Sequence, residues 1–597
     1  MAFSKKHGTL YEFGPFRLDP SERLLMRDGE PVPLAPKVFD TLTALIENSG
    51  RLLDKDELLS MLWPDTFVEE ATLARNISDL RKALGESTGE QKFIETVPKR
   101  GYRFTADAKC IRTEDSALIV ERHVRSRVIF EEQLDADADV TSIAVLPFRP
   151  LSSEKRDEYL ELGLADALIT RLSNMSQIVV RPTSSVRKYG GLKQDASQAG
   201  RELKVSHVLD GSIQTVGDRI RVTAQLVSVE DGRSLWAGKF DESFRDIFSV
   251  EDVISEQVAN ALVLRLTGEE KRLITRRDTD NAEAHRLYLK GRFYWNRRTR
   301  DGYEKGIEHF CRAIEIDRSY ARAYAGLADC YSMLGRFGLV QPAEIMPRAV
   351  SSATTALRLD DTLAESHASM GLAAHIYSWE WAKAESHYKR AIELNTNFAT
   401  AHHWYAIFLA ELGRGHEALA EIKQAQSLDP VSLIIGADAG MLLYLSRDYD
   451  RAVEQCRATL EMDPNYFRAR MWLGCAYEQK TMYQEAISEY ETARSLDDSP
   501  YVVEWLARAY ALAGNTDAGN RLAGELIALS SRVYVDCYYL ASVFAALGKK
   551  QQAIALLERA CSERSCWLSR LGVDPIFDSL RRTPGFETLL INVGGNS

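Results

Sequence analysis

The stretch Glu69–Leu84, EEATLARNISDLRKAL, carries Arg75, Ser78 and Lys82 at helical spacing. A little further on, FIETVPKRGYRF at 93–104 gathers Lys99, Arg100 and Arg103 around one turn. Guanidinium, ammonium and hydroxyl groups so arranged are hydrogen-bond donors suited to an anionic partner. Leu73, Ile77, Leu80 and Leu84 recur at i, i+4, i+7 and i+11, the spacing of one buried helical face. At about 100° per residue, Ala71, Arg75, Ser78 and Lys82 then point outward, with Thr72 and Asp79 beside them and Asn76 lateral. That outer face is small at its start and basic along its length, so it can approach a surface closely. A solvated helix presents the same residue types, so the face alone leaves both readings open.

The flanking elements sharpen the reading. Phe93–Val97 and Tyr102–Thr105 read as strands, with Pro98-Lys99-Arg100-Gly101 as the turn between them. Upstream, Asp54-Lys55-Asp56-Glu57 resembles a capping box and opens a helix with Leu58, Leu59, Leu62 and Trp63 as its apolar stripe, ended by Pro64. Ala35–Asn48 is an earlier helix with Pro36 in its first turn and Gly50 beyond its end. Val38, Phe39, Leu42, Leu45 and Ile46 are its buried side. Short turn-separated segments at Thr9–Phe13, Phe16–Leu18, Arg23–Arg27 and Pro31–Leu34 form a small sheet before it.

Helix, short loop, helix and hairpin, with these residues, closely resemble the OmpR-type winged helix-turn-helix domain over roughly residues 8–106. VEEATLARNISDLRKAL is similar to that family's recognition helix. KFIETVPKRGYRF is similar to its wing, nearest the ToxR/CadC-like branch. The resemblance implies that Glu69–Leu84 enters a major groove and that Lys99–Arg103 reaches an adjacent minor groove or the backbone. It assigns Thr72, Arg75 and Ser78 to base edges, and Arg81, Lys82, Lys99, Arg100 and Arg103 to phosphates, with Arg100 alternatively inserted into a minor groove. Asn76, being lateral, could serve either role or neither, and Tyr102 belongs to the same contact set. Residues 1–105 hold 15 Lys+Arg and 17 Asp+Glu, a net of −2, so any attraction to DNA is local.

The chain has 597 residues, is 45% hydrophobic and 27% charged, and carries a net charge of −11. Three or four domains are expected at this length, and the charge excludes non-specific coating of nucleic acid. The eight cysteines form no CxxC pair and read as reduced thiols. No 18-residue apolar run occurs, so a cytoplasmic location without a membrane span is expected, unlike the ToxR/CadC-like branch. Residues 107–140 read as a charged linker.

Residues 141–266 read as an α/β domain with a mixed sheet. It has strands at Ser142–Phe148, Ile178–Arg181, His207–Val216, Arg219–Val229 and Ser234–Asp241, and helices at Tyr159–Leu172, Ala196–Leu203 and Asp246–Leu266. SIAVLPF, LELGLADALITRLS and the following strand run resemble the TolB N-terminal-like domain, which implies the fold and no catalytic residue. Residues 282–590 repeat with a period of 34. Pro430 and Pro464, Gly440 and Gly474, and Ala418, Ala452 and Ala486 all keep that spacing. This resembles the tetratricopeptide repeat, with about eight units and a capping tail at 574–590. By register, His375, His403, Tyr444 and Glu478 face the concave groove. The two histidines are 28 residues apart, which excludes a metal site built from them alone.

No phosphate-binding loop, HExxH, GxSxG or dinucleotide fingerprint occurs, so neither an enzyme nor a cofactor is expected. The expected fold class is multidomain: an N-terminal α+β winged helix-turn-helix, a central α/β mixed-sheet domain and a C-terminal all-α tetratricopeptide solenoid. The expected function is a cytoplasmic bacterial transcriptional regulator that binds double-stranded promoter DNA as a dimer on tandem or inverted half-sites. RNA polymerase or another protein, and a small-molecule effector, are its further expected partners. The alternative is a signalling scaffold whose solenoid assembles proteins. About six phosphate-binding cations would give a log–log salt slope of roughly −5, and a scaffold almost none.

Overall fold

The computed structural model describes residues 9–112 and 141–594, apart from 21–23, 28–29, 33, 35, 63–69, 85–92, 98–99, 107–108, 152–157, 176, 191–194, 217–218, 244–246, 264–266 and 498. Lys99, Trp63, Pro64, Glu69, the Gly217-Asp218 turn and most of the expected linker therefore lie outside the described residues. The chain forms two compact units, Met1–Asp135 and Ala136–Ser597.

The first unit runs β1 (Thr9–Phe13), β2 (Phe16–Asp19), β3 (Leu24–Arg27), β4 (Glu30–Pro31), α1 (Pro36–Glu47), β5 (Leu52–Asp54), α2 (Lys55–Leu62), α3 (Glu70–Ala83), β6 (Ile94–Val97), β7 (Gly101–Phe104) and β8 (Lys109–Arg112). Two sheets result, ordered β4-β3-β2-β1-β8 and β5-β7-β6. Phe13 packs edge-on against Phe93 and Phe104, at 5.9 and 5.2 Å between ring centres, and so locks the wing to the N-terminal sheet. The expected linker is corrected at one point. Residues 109–112 are a strand paired antiparallel with β1, Tyr11 opposite Cys110, so the first domain extends past residue 106. An edge strand gains a full ladder from that pairing, but four residues with no turn signal leave little trace in a sequence.

The second unit opens with β9 (Ser142–Val145), β10 (Arg149–Pro150), α4 (Glu158–Leu172), β11 (Val179–Val180), α5 (Thr183–Val186), α6 (Ala196–Glu202), β12 (His207–Val216), β13 (Arg219–Ser228), β14 (Ser234–Ser243), α7 (Ile247–Leu262) and α8 (Gly268–Ile274). The sheet order is β11-β9-β12-β13-β14, with β10 beside β12; β11, β9, β12 and β10 pair in parallel, and β13 and β14 add antiparallel. This is the mixed sheet expected. Helix α4 is buried on nearly every side, because the sheet covers one face and the first repeat helix the other. A Cβ on Gly163 would come within 3.0 Å of Leu289 Cβ, so a small residue sets that approach.

Among the described residues sixteen α-helices then pair into eight repeats: α9 (Ala282–Trp295) with α10 (Arg300–Ile316), α11 (Ala321–Arg336) with α12 (Pro342–Leu359), α13 (Ala364–Ala373) with α14 (Trp381–Leu394), α15 (Ala399–Glu411) with α16 (Gly415–Leu428), α17 (Leu433–Leu445) with α18 (Tyr449–Met462), α19 (Phe467–Gln479) with α20 (Tyr483–Leu496), α21 (Pro500–Leu512) with α22 (Thr516–Leu529), and α23 (Cys537–Ala546) with α24 (Lys550–Ser562). At the α19–α20 crossing a Cβ on Gly474 would meet the Tyr490 ring at 2.4 Å, which is why that repeat position is small. The α/β domain is fixed on this array. Arg181 donates to the carbonyls of Ser427 and Leu428, Asn397 to those of Met175 and Ile178, and Arg292 pairs with Asp166.

Buried acids make the second unit pH-sensitive. Asp329 accepts from Ser369, and burial pushes its carboxyl up to about 7 despite that bond. An unfolded carboxyl titrates near ~4. The stability held by its neutral form is therefore present at low pH and lost as pH rises through 7. Below pH 6.5 the histidines held neutral by burial, His375 and His387, act in the opposite sense. The melting temperature of this unit is expected to fall between pH 6.5 and 8, and Asp329→Asn to flatten that fall in a thermal scan.

Candidate nucleic-acid interface

Helix α3 divides as its sequence pattern requires. Leu73, Ile77, Leu80 and Leu84 are at most 3% exposed, and Thr72, Arg75, Ser78 and Lys82 are exposed in one row. Lys82 lies 3.6 Å from Asp79, an exposed i,i+3 pair that salt and a polyanion both displace readily. The buried stripe packs on α1 and α2, so the outward row is held on a rigid support.

Three residues of the expected contact set have other work. Asn76 is buried, and its side-chain amide donates to Thr41 Oγ1 at 3.3 Å and to the Lys37 carbonyl at 3.4 Å. It pins α3 to α1 and does not face outward. Its place three residues after Leu73 and four before Leu80 is the signal that could have found it. Arg81 reaches sideways to the wing, donating to the Ile94 carbonyl at 2.9 Å and Thr96 Oγ1 at 2.7 Å. Its guanidinium ties the helix to the hairpin. Tyr102 is 7% exposed and belongs to the core of the first unit. The contact roles expected for Asn76 and Tyr102 are thus corrected by burial, and that of Arg81 by its internal bonds.

The wing keeps Arg100 and Arg103 in the contact set. Arg100 is exposed at the turn, where its N–H donates to the Val97 carbonyl at 3.1 Å. Arg103 sits on β7 directly opposite Glu95, 3.4 Å away. Gly101 pairs with Asp54, and a Cβ there would lie 1.9 Å from the Leu53 carbonyl oxygen. Gly101→Ala is expected to destabilise the first unit by about 1–3 kcal/mol, because backbone must move to admit the methyl. Thermal melting of its near-ultraviolet signal measures this.

The four residues expected to line a groove are in fact interior. His375, His403, Tyr444 and Glu478 are 0, 6, 0 and 3% exposed. His375 bonds Glu411 at 2.7 Å, His403 bonds Asp438 at 2.9 Å, Tyr444 donates to Asp574 at 3.3 Å and Glu478 pairs with Arg508. They do point inward, as register required, but partners from other repeats and from the C-terminal segment close over them. Among the described residues no group of three or more His, Cys, Asp or Glu is placed to hold a metal ion, and no helix is long and apolar enough to cross a membrane.

Comparison with known proteins adds three family matches. Residues 29–104 match the family "Transcriptional regulatory protein, C terminal", residues 138–256 the "HilA/YgeH-like transcriptional regulator, second domain", and residues 438–501 a tetratricopeptide repeat. The central segment thus finds its match in the HilA/YgeH-like domain. A Rhizobium meliloti protein provisionally named adenylate cyclase 3 is 35% identical over 188 residues, 31% of this chain and 32% of that protein. The transcriptional regulator HilA of Salmonella typhi is 23% identical over 433 residues, 72% of each chain. The transcriptional activator CadC of Escherichia coli is 34% identical over 91 residues, 15% of this chain and 18% of that protein. The chain therefore spans about a third of the first relative, 72% of the second and less than a fifth of the third. It carries an OmpR-type DNA-binding domain, a HilA/YgeH-like second domain and tetratricopeptide repeats, in that order.

Proposed function

We propose that the chain is a cytoplasmic bacterial transcriptional regulator that works by binding, not catalysis. Helix α3 seats in the major groove of promoter DNA, with Thr72, Arg75 and Ser78 at base edges. Lys82, Lys99, Arg100 and Arg103 take phosphates, and two copies bind adjacent half-sites. The observation that carries this reading is the exposed row Thr72-Arg75-Ser78-Lys82 on a helix whose opposite face is fixed, within a domain of the matched DNA-binding family. The α/β domain and solenoid take in the signal, from a protein such as RNA polymerase or from a small effector. A cavity of about 380 Å³ between them, lined by Arg171, Glu251, Arg276, His285, Tyr320 and Arg322, has the size and polarity for such an effector.

The test is affinity for the promoter upstream of its own reading frame, measured at several salt concentrations. Four phosphate-binding cations at about −0.9 each predict a log–log slope of about −4 per copy. That is shallower than the sequence alone suggested, because Arg81 is spent on the hairpin and Arg75 is placed at a base edge. Binding no tighter than to random DNA, with a slope near zero, would leave the scaffold reading in its place.

A further inference from the structure

The end of the chain does not continue the repeat. After α24 it turns through 563–565 and runs back over the inner helices as two short 3-10 helices, Cys566–Arg570 and Pro575–Leu580, and then α25 (Pro584–Asn592). Its contacts are those of a ligand anchored by spaced side chains. Arg570 is fully buried, its guanidinium carbon 4.4 Å from the ring centre of Trp567, 5.2 Å from Trp472 and 5.9 Å from both Tyr538 and Tyr539. It donates to Tyr539 Oη at 2.6 Å and pairs with Asp574 at 3.2 Å. Asp574 accepts from Tyr444 and Tyr538, and Arg447 grips both oxygens of Asp578 at 2.6 and 2.7 Å. The three anchors, Arg570, Asp574 and Asp578, are each four residues apart. Their host side chains come from α17, the turn after it, α19 and α23.

The host is not saturated by this occupant. On the inner helices α19 and α21, Glu478, Glu504 and Arg508 are at most 3% exposed. Yet among the described residues nothing donates to either oxygen of Glu504 or to Glu478 Oε1, and Arg508 Nη1 donates to nothing. Buried groups without partners cost free energy that a better-matched occupant would recover.

We infer that the inner surface of α17–α23 is a peptide-binding groove held in cis by residues 565–594. Its partner in trans is a protein segment presenting an arginine with aspartates four and eight residues after it. The tail of a second copy is a poor occupant. Only residues 563–565 join α24 to the segment, a reach of about 10 Å, so exchanging tails would force two solenoids to interpenetrate.

The experiment titrates a fluorescent peptide of residues 565–580 into the full chain and reads anisotropy. Wild type is expected to bind weakly, since the tethered copy competes at an effective concentration in the millimolar range. Full-length Arg570→Ala/Asp574→Asn, checked for native circular dichroism and cooperative melting, is expected to bind at least about tenfold more tightly. The same peptide carrying Arg570→Ala loses about tenfold on that variant. If the double variant fails to fold, Asp578→Ala decides, because it removes only the exposed pairs with Arg447 and Arg581; about threefold tighter binding is expected. Folded variants that bind the peptide no better than wild type overturn the inference. So do variants that elute at twice the monomer mass, which would give the groove to a second copy.

Discussion

Arg75→Ala is expected to cost about 1–3 kcal/mol of sequence discrimination, roughly 5- to 150-fold, with a smaller effect on binding to random DNA. Arg75 is exposed near the middle of α3, on the face opposite Leu73, Ile77 and Leu80. A guanidinium there has a fork geometry suited to the two acceptors of guanine in a major groove. Parallel titrations against the promoter site and against sites altered one base at a time measure the effect. The informative contrast is Arg100→Ala at the wing, which is expected to weaken all sequences alike and to make the salt slope shallower by about 1. Equal losses on specific and random DNA from Arg75→Ala would make Arg75 a phosphate contact and move base reading to Thr72 and Ser78.

Glu411→Ala is expected to destabilise the second unit by about 3–5 kcal/mol. Glu411 is the hub of the inner network. Its carboxylate bonds His375 Nε2 at 2.7 Å, lies 3.5 Å from Arg336 and accepts from Ser569 of the C-terminal segment. Burial alone would raise its pKa, but the His375 hydrogen bond and the charges of Arg336 and Arg570 hold it down to about 2. Removing it leaves a buried guanidinium and a buried imidazole facing apolar walls. Glu411→Gln keeps the volume and one acceptor and is expected to lose less. Denaturant melts of the full chain, followed by helical circular dichroism, compare the two. Stability supplied by this depressed carboxyl is present above pH ~4 and is lost as pH falls towards 2. A loss of less than 1 kcal/mol in Glu411→Ala would mean that water or Ser569 replaces it without penalty.

Much of the architecture follows from local pattern. The 3.6-residue apolar period settles which face of α3 is buried, because a helix has only one way to place Leu73, Ile77, Leu80 and Leu84 together. The alternation and length of His207–Val216 and its neighbours fix the antiparallel half of the central sheet, and the 34-residue recurrence of small residues fixes the helix pairs. Each of these is a property of residues close in sequence. What the pattern did not contain is what lies across from a side chain once the chain has folded. Asn76 meets Thr41 thirty-five residues away, and Arg81 meets the wing. His375 and Glu411 are covered by Ser569, 158 residues from Glu411. A polar residue on a helix looks the same in sequence whether water or another repeat faces it. The sequence by itself therefore determined the elements and their inward and outward sides. Only the tertiary structure decided which inward polar groups form a closed interior, because that depends on the C-terminal segment returning over helices that local spacing leaves open.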